Sequence, residues 1–385
     1  MDLVNPTRLA AGYTVATDKH GRESLVVVAK GSYGIPSHPH EAPRLLDAGC
    51  PLVTTDEFFG EPGASAVKYE NDFAPSKPRC DVLLNGSCHA PGGQPATEVT
   101  VALRIAGLTK AFRVVGPRRH GGFRLGSAPG TPEPFTRLPI RYDVAYGGVD
   151  RADEDPARHR WHAANPVGIG LAVRPDASAG HDLAWPLTEE LERPVRSRDG
   201  DYRPMAFGAI GRSWQPRIGW GGTYDQHWLD QHAPFLPPDF DTRYFQCAPQ
   251  DQQIDPPRGG EDVALLHLTP QGRTMFKLPA DLRLPILFVG RDGQATEVPA
   301  IVDTVLLEPD DGRFMLVWRA SLPLRRNVRE IVQAQVGKTR GRLLAQRAHA
   351  ERLRGKQQFA SLAEAVAWAA QARRDEAHVD EDEAA

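Results

Sequence analysis

The stretch VPAIVDTVLLEPDDGRFMLVWRA, residues 298–320, decides the fold class of this sequence. It contains two runs of apolar, largely β-branched residues, Val298–Glu308 and Arg313–Ala320. The Pro, Asp and Gly residues between the runs are typical of a tight turn. Short apolar runs bounded by turn residues indicate strands, so we predict two consecutive strands here.

The same pattern recurs on both sides of this stretch. Further strands are predicted at residues 13–17, 24–30, 66–70, 79–84, 98–105, 111–115, 138–146, 263–268, 274–278 and 283–289. The pair Asn85–Gly86, which follows one apolar run and precedes another, predicts a β-hairpin. Regularly spaced short strands predict a mainly β protein, with a sandwich or barrel-like body and long irregular loops.

Residues 150–206 depart from this pattern, because Arg, Asp, Pro and Gly dominate them. We predict irregular structure there, with one short helical turn at Leu187–Leu191.

The composition also changes near the C-terminus. From Asn327 the apolar residues recur at helical spacing, so a helix is predicted. Residues 338–356 are basic, Ser361 and Glu364 form a capping box that opens a second helix, and the end is acidic. We therefore divide the chain into a β-rich domain, residues 1–323, and a C-terminal helical tail, residues 324–385.

The composition excludes several classes of protein. The 385 residues are 41% hydrophobic and 25% charged, and the net charge of −3 gives no general attraction to nucleic acid or an anionic membrane. No apolar run approaches the ~20 residues of a membrane span, and the N-terminus lacks the pattern of a signal peptide. The four cysteines form no CxxC pair. We therefore expect a cytoplasmic protein with reduced thiols, no cofactor, and neither nucleic acid nor membrane as a partner.

The second unusual stretch is GWGGTYDQHWLDQHAPFLPPDFDTRYFQCAPQDQQIDPPRGGE, residues 219–261. Pro or Gly every few residues excludes a long helix, and the apolar residues do not alternate as they would in a strand. The segment is also too aromatic for a disordered linker. We predict an irregular segment that crosses the β body, is held by its buried aromatic side chains, and exposes one edge. We call residues 222–261 the strap.

Acidic and histidine side chains crowd the start of this segment. Asp225, His227 and Asp230 are residue types that bind metals and exchange protons, and Trp220 and Trp228 would suit a sugar ring. His227 and His232, however, are five residues apart, whereas a helical zinc motif places its two histidines four apart. A glycan-acting or metal-dependent hydrolase built on Asp225, His227 and Asp230 is therefore the alternative interpretation, and polar contacts within a loop are the simpler one.

Other candidate sites have simple explanations. His159 and His162 have HxxH spacing without a third ligand nearby, so we predict a solvated loop. Cys80 and Cys88 flank the predicted hairpin, and we expect buried free thiols. The sequence has no GxSxG elbow, P-loop or GxGxxG at a strand–helix junction. We therefore assign no catalytic residue and no metal ligand.

Short motifs in a fixed order resemble a bacterial family that is known as a domain of unknown function and linked to type VI secretion. What they share is their order along the chain. In chain order they are Val26–Lys30, Tyr69, Glu70, Asn71, Asp72, Lys77–Pro78, Asp81–Val82, Gly86–Pro91, Pro139–Gly148, Asn165, Pro166, Gly168, Leu191, Glu192, Pro194, Arg217, Gly222, Thr223, Tyr224, Asp225, Trp228, Pro234, Asp239, Phe240, Asp241, Phe245, Ala248, Pro249, Asp251, Gln252 and Gly259–Glu261. The resemblance covers roughly residues 5 to 290, departs locally at Gly116–His120, and does not include the tail.

The resemblance implies binding and not catalysis. Family members look like cytosolic adaptors, or effector chaperones, encoded beside a VgrG spike gene and a toxic effector. Such a protein holds the effector, often through its PAAR-containing or N-terminal region, and helps to load it onto VgrG, so the expected partners are the effector and VgrG or PAAR components. Six residues are expected to contact a partner, namely Trp220, Tyr224, Asp225, Trp228, Asp239 and Asp241.

Overall fold

The computed structural model describes residues 1–118, 128–151, 153–172 and 184–337, together with Val366 and Ala370. The strands in these ranges are β1 Asp2–Val4, β2 Ala10–Thr17, β3 Glu23–Gly34, β4 Glu57–Phe58, β5 Val67–Tyr69, β6 Cys80–Leu84, β7 Gly86–His89, β8 Glu98–Ile105, β9 Leu108–Val115, β10 Arg137–Ile140, β11 Tyr146–Gly147, β12 Val149–Asp150, β13 Arg160–Trp161, β14 Ile169–Gly170, β15 Thr188–Glu189, β16 Gln253–Ile254, β17 Asp262–Leu266, β18 Arg273–Lys277, β19 Leu284–Gly290, β20 Ala295–Glu308, β21 Arg313–Pro323 and β22 Ile331–Val336.

Helical structure is scarce in the described part of residues 1–337. The α-helix is α1, Gln226–Gln231. Short 3₁₀ turns cover Pro91–Gly93, Tyr142–Val144, Pro156–Arg158, Arg217–Trp220, Thr242–Phe245, Gln250–Gln252, Pro309–Asp311 and Val328–Glu330. In the described ranges, no helix combines the length and the apolar character that crossing a bilayer requires.

Two sheets contain most of the strands. The nine-stranded sheet runs in the order β1–β22–β19–β20–β21–β3–β2, with β6 and β16 branching from β20. The five-stranded sheet runs in the order β15–β9–β8–β17–β18. Inward side chains of β3, β20 and β21 belong to the same hydrophobic core as those of β8, β9 and β17. The described part of the chain is therefore mainly β with a nearly closed, barrel-like body, which confirms the predicted fold class.

Strand β20 creates the branch in the larger sheet. Its first half pairs with β19, and its second half pairs with β21 on one side and in parallel with β6 on the other. The register shifts at Asp303, which lies in a bulge. The buried Asp303 carboxylate binds the Arg319 guanidinium, which also donates to the carbonyl oxygens of Asp72 (2.8 Å) and Ala74 (2.7 Å). This ion pair therefore fixes both the bulge and the neighbouring loop.

The hairpin predicted at Asn85–Gly86 is wrong. Strand β6 pairs with β16 and β20, while β7 pairs with β10. The Asn85 N–H bonds to the carbonyl oxygen of Leu307, 2.9 Å away. Strands distant in sequence thus occupy both edges of β6, and this long-range pairing overrides the local turn signal. The neighbouring strands predicted at 98–105 and 111–115 are present as β8 and β9, and they form an antiparallel hairpin.

The helix predicted from Asn327 is wrong over the residues that the structure describes up to 337. The Asn327 side chain caps a single 3₁₀ turn, and β22 follows at once. Strand β22 lies parallel to β1 and antiparallel to β19, and its Ala334 and Val336 side chains are buried in the core. The open edge of β19 decides the outcome, because a strand can bury the same apolar residues that a helix would. The larger sheet therefore extends beyond residue 323.

Little of the predicted tail can be compared with the structure. Val366 and Ala370 are helical. The basic stretch at 338–356 and the capping box at Ser361 and Glu364 lie outside the described residues.

Two shorter predictions are also corrected. Leu187–Leu191 forms no helical turn, because β15 pairs there with β9 and the Thr188 hydroxyl donates to the carbonyl oxygen of Met205, 2.6 Å away. The strand predicted at 138–146 is interrupted after β10 by a 3₁₀ turn, which directs the Tyr142 side chain into the core.

Replacing the buried arginine tests the role of the bulge. Arg319→Met should lower the free energy of unfolding by about 3–5 kcal/mol, because it leaves the Asp303 carboxylate buried without its cation. Guanidinium chloride titration measures the loss. The matched control is Arg283→Met, since the Arg283 side chain is 81% exposed and pairs with Asp281; it should cost less than about 1 kcal/mol. Equal losses in the two variants would contradict this role.

Candidate protein-binding surface

One buried carboxylate fixes the second half of the strap to the sheet. Asp81 of β6 accepts the N–H groups of Cys247 (2.9 Å) and Ala248 (3.1 Å). It also accepts hydrogen bonds from Gln246 Nε2 (2.6 Å) and Lys77 Nζ (2.8 Å). Burial alone lowers the pKa of Lys77, but the Asp81 carboxylate beside it raises that pKa overall, so the lysine stays charged. Asp81 thus holds a segment that has no long strand of its own.

The buried Gln252 side chain continues this attachment. Its Nε2 donates to the carbonyl oxygens of Val82 (2.8 Å) and Phe207 (2.9 Å), and its Oε1 accepts from Lys110 Nζ (2.6 Å). Burial lowers the pKa of Lys110 to about 8 despite the nearby Asp251 carboxylate. Buried polar contacts therefore hold the strap, whereas the sequence suggested aromatic side chains.

A buried arginine joins the two ends of the loop at residues 221–241, which comes before the Asp81 contacts in the chain. The Arg217 guanidinium donates to the carbonyl oxygens of Ile210 (2.8 Å) and Tyr244 (2.8 Å) and to the Glu70 carboxylate. Because Arg217 precedes the loop and Tyr244 follows it, one side chain fixes both ends.

Residues 221–241 form a closed loop between these attachments, which we call the lobe. At its neck, the Asp239 carboxylate accepts the Thr223 N–H (3.0 Å) and the Thr223 hydroxyl (2.8 Å). The Asp241 N–H donates to the carbonyl oxygen of Trp220 (3.0 Å). The hydrogen bond from the Thr223 backbone lowers the pKa of Asp239, followed by that from the Thr223 hydroxyl. The neck is therefore strongest when Asp239 is ionised.

Trp228 makes several of the contacts within the lobe. Asp225 caps helix α1 by accepting the Trp228 N–H (2.8 Å). The Trp228 indole Nε1 donates to the carbonyl oxygen of Phe235 (2.8 Å). Its ring stands edge-on to that of Tyr224, with 4.7 Å between the ring centroids. Trp228 thus ties the start of the lobe to its far side.

Four large apolar side chains are exposed here, three in the lobe and one, Ile218, just before it. Ile218 is 47% exposed, Tyr224 56%, Leu229 56% and Phe235 45%. Exposed large apolar side chains on a well-anchored segment are candidates for contact with a protein partner. We call these four residues the lobe surface.

The predicted contact residues divide between structural roles and this surface. Asp225 and Asp241 cap a helix and a 3₁₀ turn, and Asp239 closes the neck. Trp228 packs inside the lobe, and the Arg243 guanidinium covers the Trp220 ring at 5.0 Å. Tyr224, the remaining residue of the six, lies in the lobe surface. That it contacts a partner stays a prediction.

Sequence reasoning did not identify Ile218, Leu229 and Phe235. One signal was present: an Asp three residues before Trp228 is a helix-capping pattern. Recognising α1 would have placed Leu229 on a short surface helix.

The side chains of the alternative hydrolase site make local contacts. Asp225 caps α1, Asp230 accepts Gln226 Nε2 (2.9 Å), and the His227 ring lies 5.5 Å from the His232 ring. Among the residues described, no group of three or more His, Cys, Asp or Glu side chains could hold a metal ion. These contacts lend the hydrolase interpretation no support.

The remaining candidate residues are two histidines, His159 and His162, and two cysteines, Cys80 and Cys88. The loop predicted around His159 and His162 is only partly solvated, since both side chains are half-buried. His159 Nε2 lies 3.0 Å from the carbonyl oxygen of Asp153, His162 Nε2 lies 3.1 Å from that of Tyr202, and burial lowers the pKa of His162. Cys80 and Cys88 are buried free thiols, as predicted. Burial raises the pKa of Cys88 to about 12, which makes it a poor nucleophile.

A family model described as "Uncharacterized protein conserved in bacteria (DUF2169)" matches residues 20–319. The match begins and ends later than the motifs suggested, and it includes all of β20 and most of β21. No curated protein and no solved structure matches the chain significantly. The family description names bacteria but neither an activity nor a partner, so the link to type VI secretion stays a prediction.

Neutralising Asp81 should release the strap. Asp81→Asn presents an amide to four N–H donors and the Cys247 thiol and leaves the Lys77 charge buried, so we expect a loss of about 3–5 kcal/mol in the free energy of unfolding. Chemical denaturation measures the loss, and faster amide exchange at residues 246–248 locates it. Asp255→Asn is the control, because Asp255 is exposed and pairs with an exposed Arg79. The proposed attachment is wrong if amide exchange at 246–248 is unchanged in a destabilised variant.

Asp239→Asn should loosen the neck of the lobe. Charge-assisted hydrogen bonds are about twice as strong as neutral ones, so the Thr223 amide should exchange faster at neutral pH. In the wild type, the contribution of Asp239 is present above its unfolded value of 3.8 and is lost as pH falls through its lower folded pKa. Hydrogen exchange, corrected for intrinsic rates, should show this acid step in the wild type and in the control Asp230→Asn, but not in Asp239→Asn.

Proposed function

This chain belongs to the bacterial family DUF2169, and we propose that it is a non-enzymatic cytosolic adaptor for a type VI secretion effector. It holds the effector through a PAAR-linked or N-terminal region and helps to load it onto the VgrG spike. The ordered motifs support the type VI assignment. The observation that carries the binding role is the lobe surface.

The lobe surface has the chemistry of a binding site for protein. Ile218, Tyr224, Leu229 and Phe235 are each about half exposed. Covering them would stabilise a complex by roughly 1 kcal/mol each. Tyrosine in particular offers a large contact area at a low cost in side-chain entropy. A partner with an apolar groove or an apolar helix face would cover these side chains.

The attachments of the lobe favour binding without rearrangement. Arg217 and the Asp239 neck fix its two ends, and Trp228 ties it internally. A surface held in one conformation before contact loses less entropy when it binds. A small apolar surface also suits a complex that must come apart when the effector is loaded.

Leu229→Asp tests the lobe surface directly. The substitution places a charge where the effector would cover an apolar side chain, so affinity should fall by about tenfold or more. Leu229 lies on the outside of α1, so folding should be retained. The full chain and the effector encoded beside it are co-purified, and calorimetry measures the dissociation constant.

The matched control is Trp161→Asp, because Trp161 is 64% exposed and lies in β13, outside the lobe. Its affinity should equal that of the wild type. The adaptor proposal is wrong if the wild-type chain binds neither the effector nor VgrG and a deletion strain still secretes the effector normally.

A further inference from the structure

The five-stranded sheet ends in a strand whose outer edge is open. Strand β18 pairs with β17 in a continuous antiparallel register and is the last strand in the order of its sheet. It contains no proline and no bulge. No backbone group of the described residues pairs with its other side. An open, regular edge of this kind is the template to which an extended peptide adds as a further strand.

The hydrogen bonds that flank β18 show which of its backbone groups point inward. On one side the Leu278 N–H donates to the carbonyl oxygen of Glu261 (2.9 Å), and on the other the carbonyl oxygen of Gly272 accepts the His267 N–H. Hydrogen-bonded positions alternate along an antiparallel pair. The even-numbered residues of β18 therefore bond to β17.

The odd-numbered residues of β18 consequently point their backbone groups outward. These are Arg273, Met275 and Lys277, which lie two residues apart and match the repeat of an incoming strand. Lys277 is an edge charge of the kind that discourages pairing, but it forms an ion pair with Asp262 of β17 at 2.8 Å. Its charge is thereby balanced within the sheet.

A groove of about 510 Å³ lies beside this edge. Arg273, Thr274 and Met275 form part of one wall, and Ile35, Pro36, Ser37 and Pro39 form part of another. Binding pockets for organic ligands have volumes of about 300–1,000 Å³. The groove therefore has room for a short stretch of extended chain beside β18.

The charge of the groove selects among extended segments. Its carboxylate, Asp310, is already bound by Ser87 (2.8 Å), Arg137 (2.8 Å) and His89 (3.0 Å). No acidic side chain among the described residues pairs with Arg273, and the Arg137 side chain remains 57% exposed. Because Arg137 is paired with Asp310, the groove presents one positive charge, that of Arg273, that no group of its own balances.

We propose that β18 binds an extended acidic segment of a partner polypeptide, which adds to the sheet as a further strand and places a carboxylate beside Arg273. Backbone hydrogen bonds to Arg273, Met275 and Lys277 supply affinity, and the charge of Arg273 supplies selectivity. The site shares no residue with the lobe surface, and the inference does not rest on the function proposed above.

The test uses the full chain and two fluorescent peptides of about ten residues, one alternating Val and Glu and the other alternating Val and Lys. Fluorescence anisotropy at low salt should show at least about tenfold tighter binding of the acidic peptide. Its affinity should fall as salt rises, because exposed charges are screened.

A proline substitution separates strand addition from simple charge attraction. Met275→Pro removes an outward N–H and leaves the bonds to β17 in place, and an edge strand tolerates proline at such a position. It should weaken binding of the acidic peptide by about tenfold. The control Met275→Val keeps the N–H and should bind like the wild type. Arg273→Gln should weaken binding and reduce its dependence on salt.

Three results would overturn the proposal. The first is equal binding by Met275→Pro and Met275→Val, or equal binding of the two peptides. The second is a dimer of the full chain that Met275→Pro dissociates, which would make a second copy the occupant. The third is binding only after Asp380, Glu381, Asp382 and Glu383 are neutralised in the full chain, which would make its own C-terminal segment the occupant. If Met275→Pro does not fold, Arg273→Gln and the peptide pair decide.

Discussion

The carboxylate of Asp81 is the contact on which the rest of this structure depends. It lies on β6, which β20 and β16 enclose, and it receives two backbone N–H groups and the Gln246 side chain of the strap. A strap without a long strand cannot satisfy its backbone groups through a ladder, so it needs a buried acceptor. The charge of that acceptor in turn requires Lys77. One aspartate thus connects the branched sheet, the strap and the lobe beyond it.

The same solution recurs at two other irregular segments, residues 72–74 and the start of the lobe. Asp303 and Arg319 hold the segment at residues 72–74, and Glu70 receives Arg217 at the start of the lobe. Buried ion pairs add little net stability compared with apolar packing, but breaking one is costly. Each pair therefore disfavours any arrangement of the loops that would separate its two partners. A loop-rich body can therefore present fixed surfaces.

The sequence predicts the parts of this fold that local pattern controls. The apolar runs in β3, β8, β20 and β21 are strands as predicted, because side-chain burial on a pleated sheet requires those residues. Pairing between distant strands was beyond that reasoning, and it accounts for the errors at Asn85–Gly86 and at β22. In each case, pairing with a strand distant in sequence determined which of the locally acceptable structures formed. The lobe was missed for a related reason: whether Leu229 faces solvent depends on contacts that no periodicity records.

The residues of the ordered motifs and the residues of the lobe surface are largely different sets. Asp81, Arg217, Asp239 and Gln252 belong to the ordered motifs, and each is bound to backbone of the strap, the lobe or the strands beneath them. In the lobe surface, Tyr224 belongs to the motifs, whereas three of its four residues do not. A scaffold that fixes the position of the lobe through buried polar groups places few demands on the side chains at its outside. Under the proposed adaptor function, those side chains can match one particular partner while the attachment beneath them stays the same, and related adaptors for different cargo would require this separation.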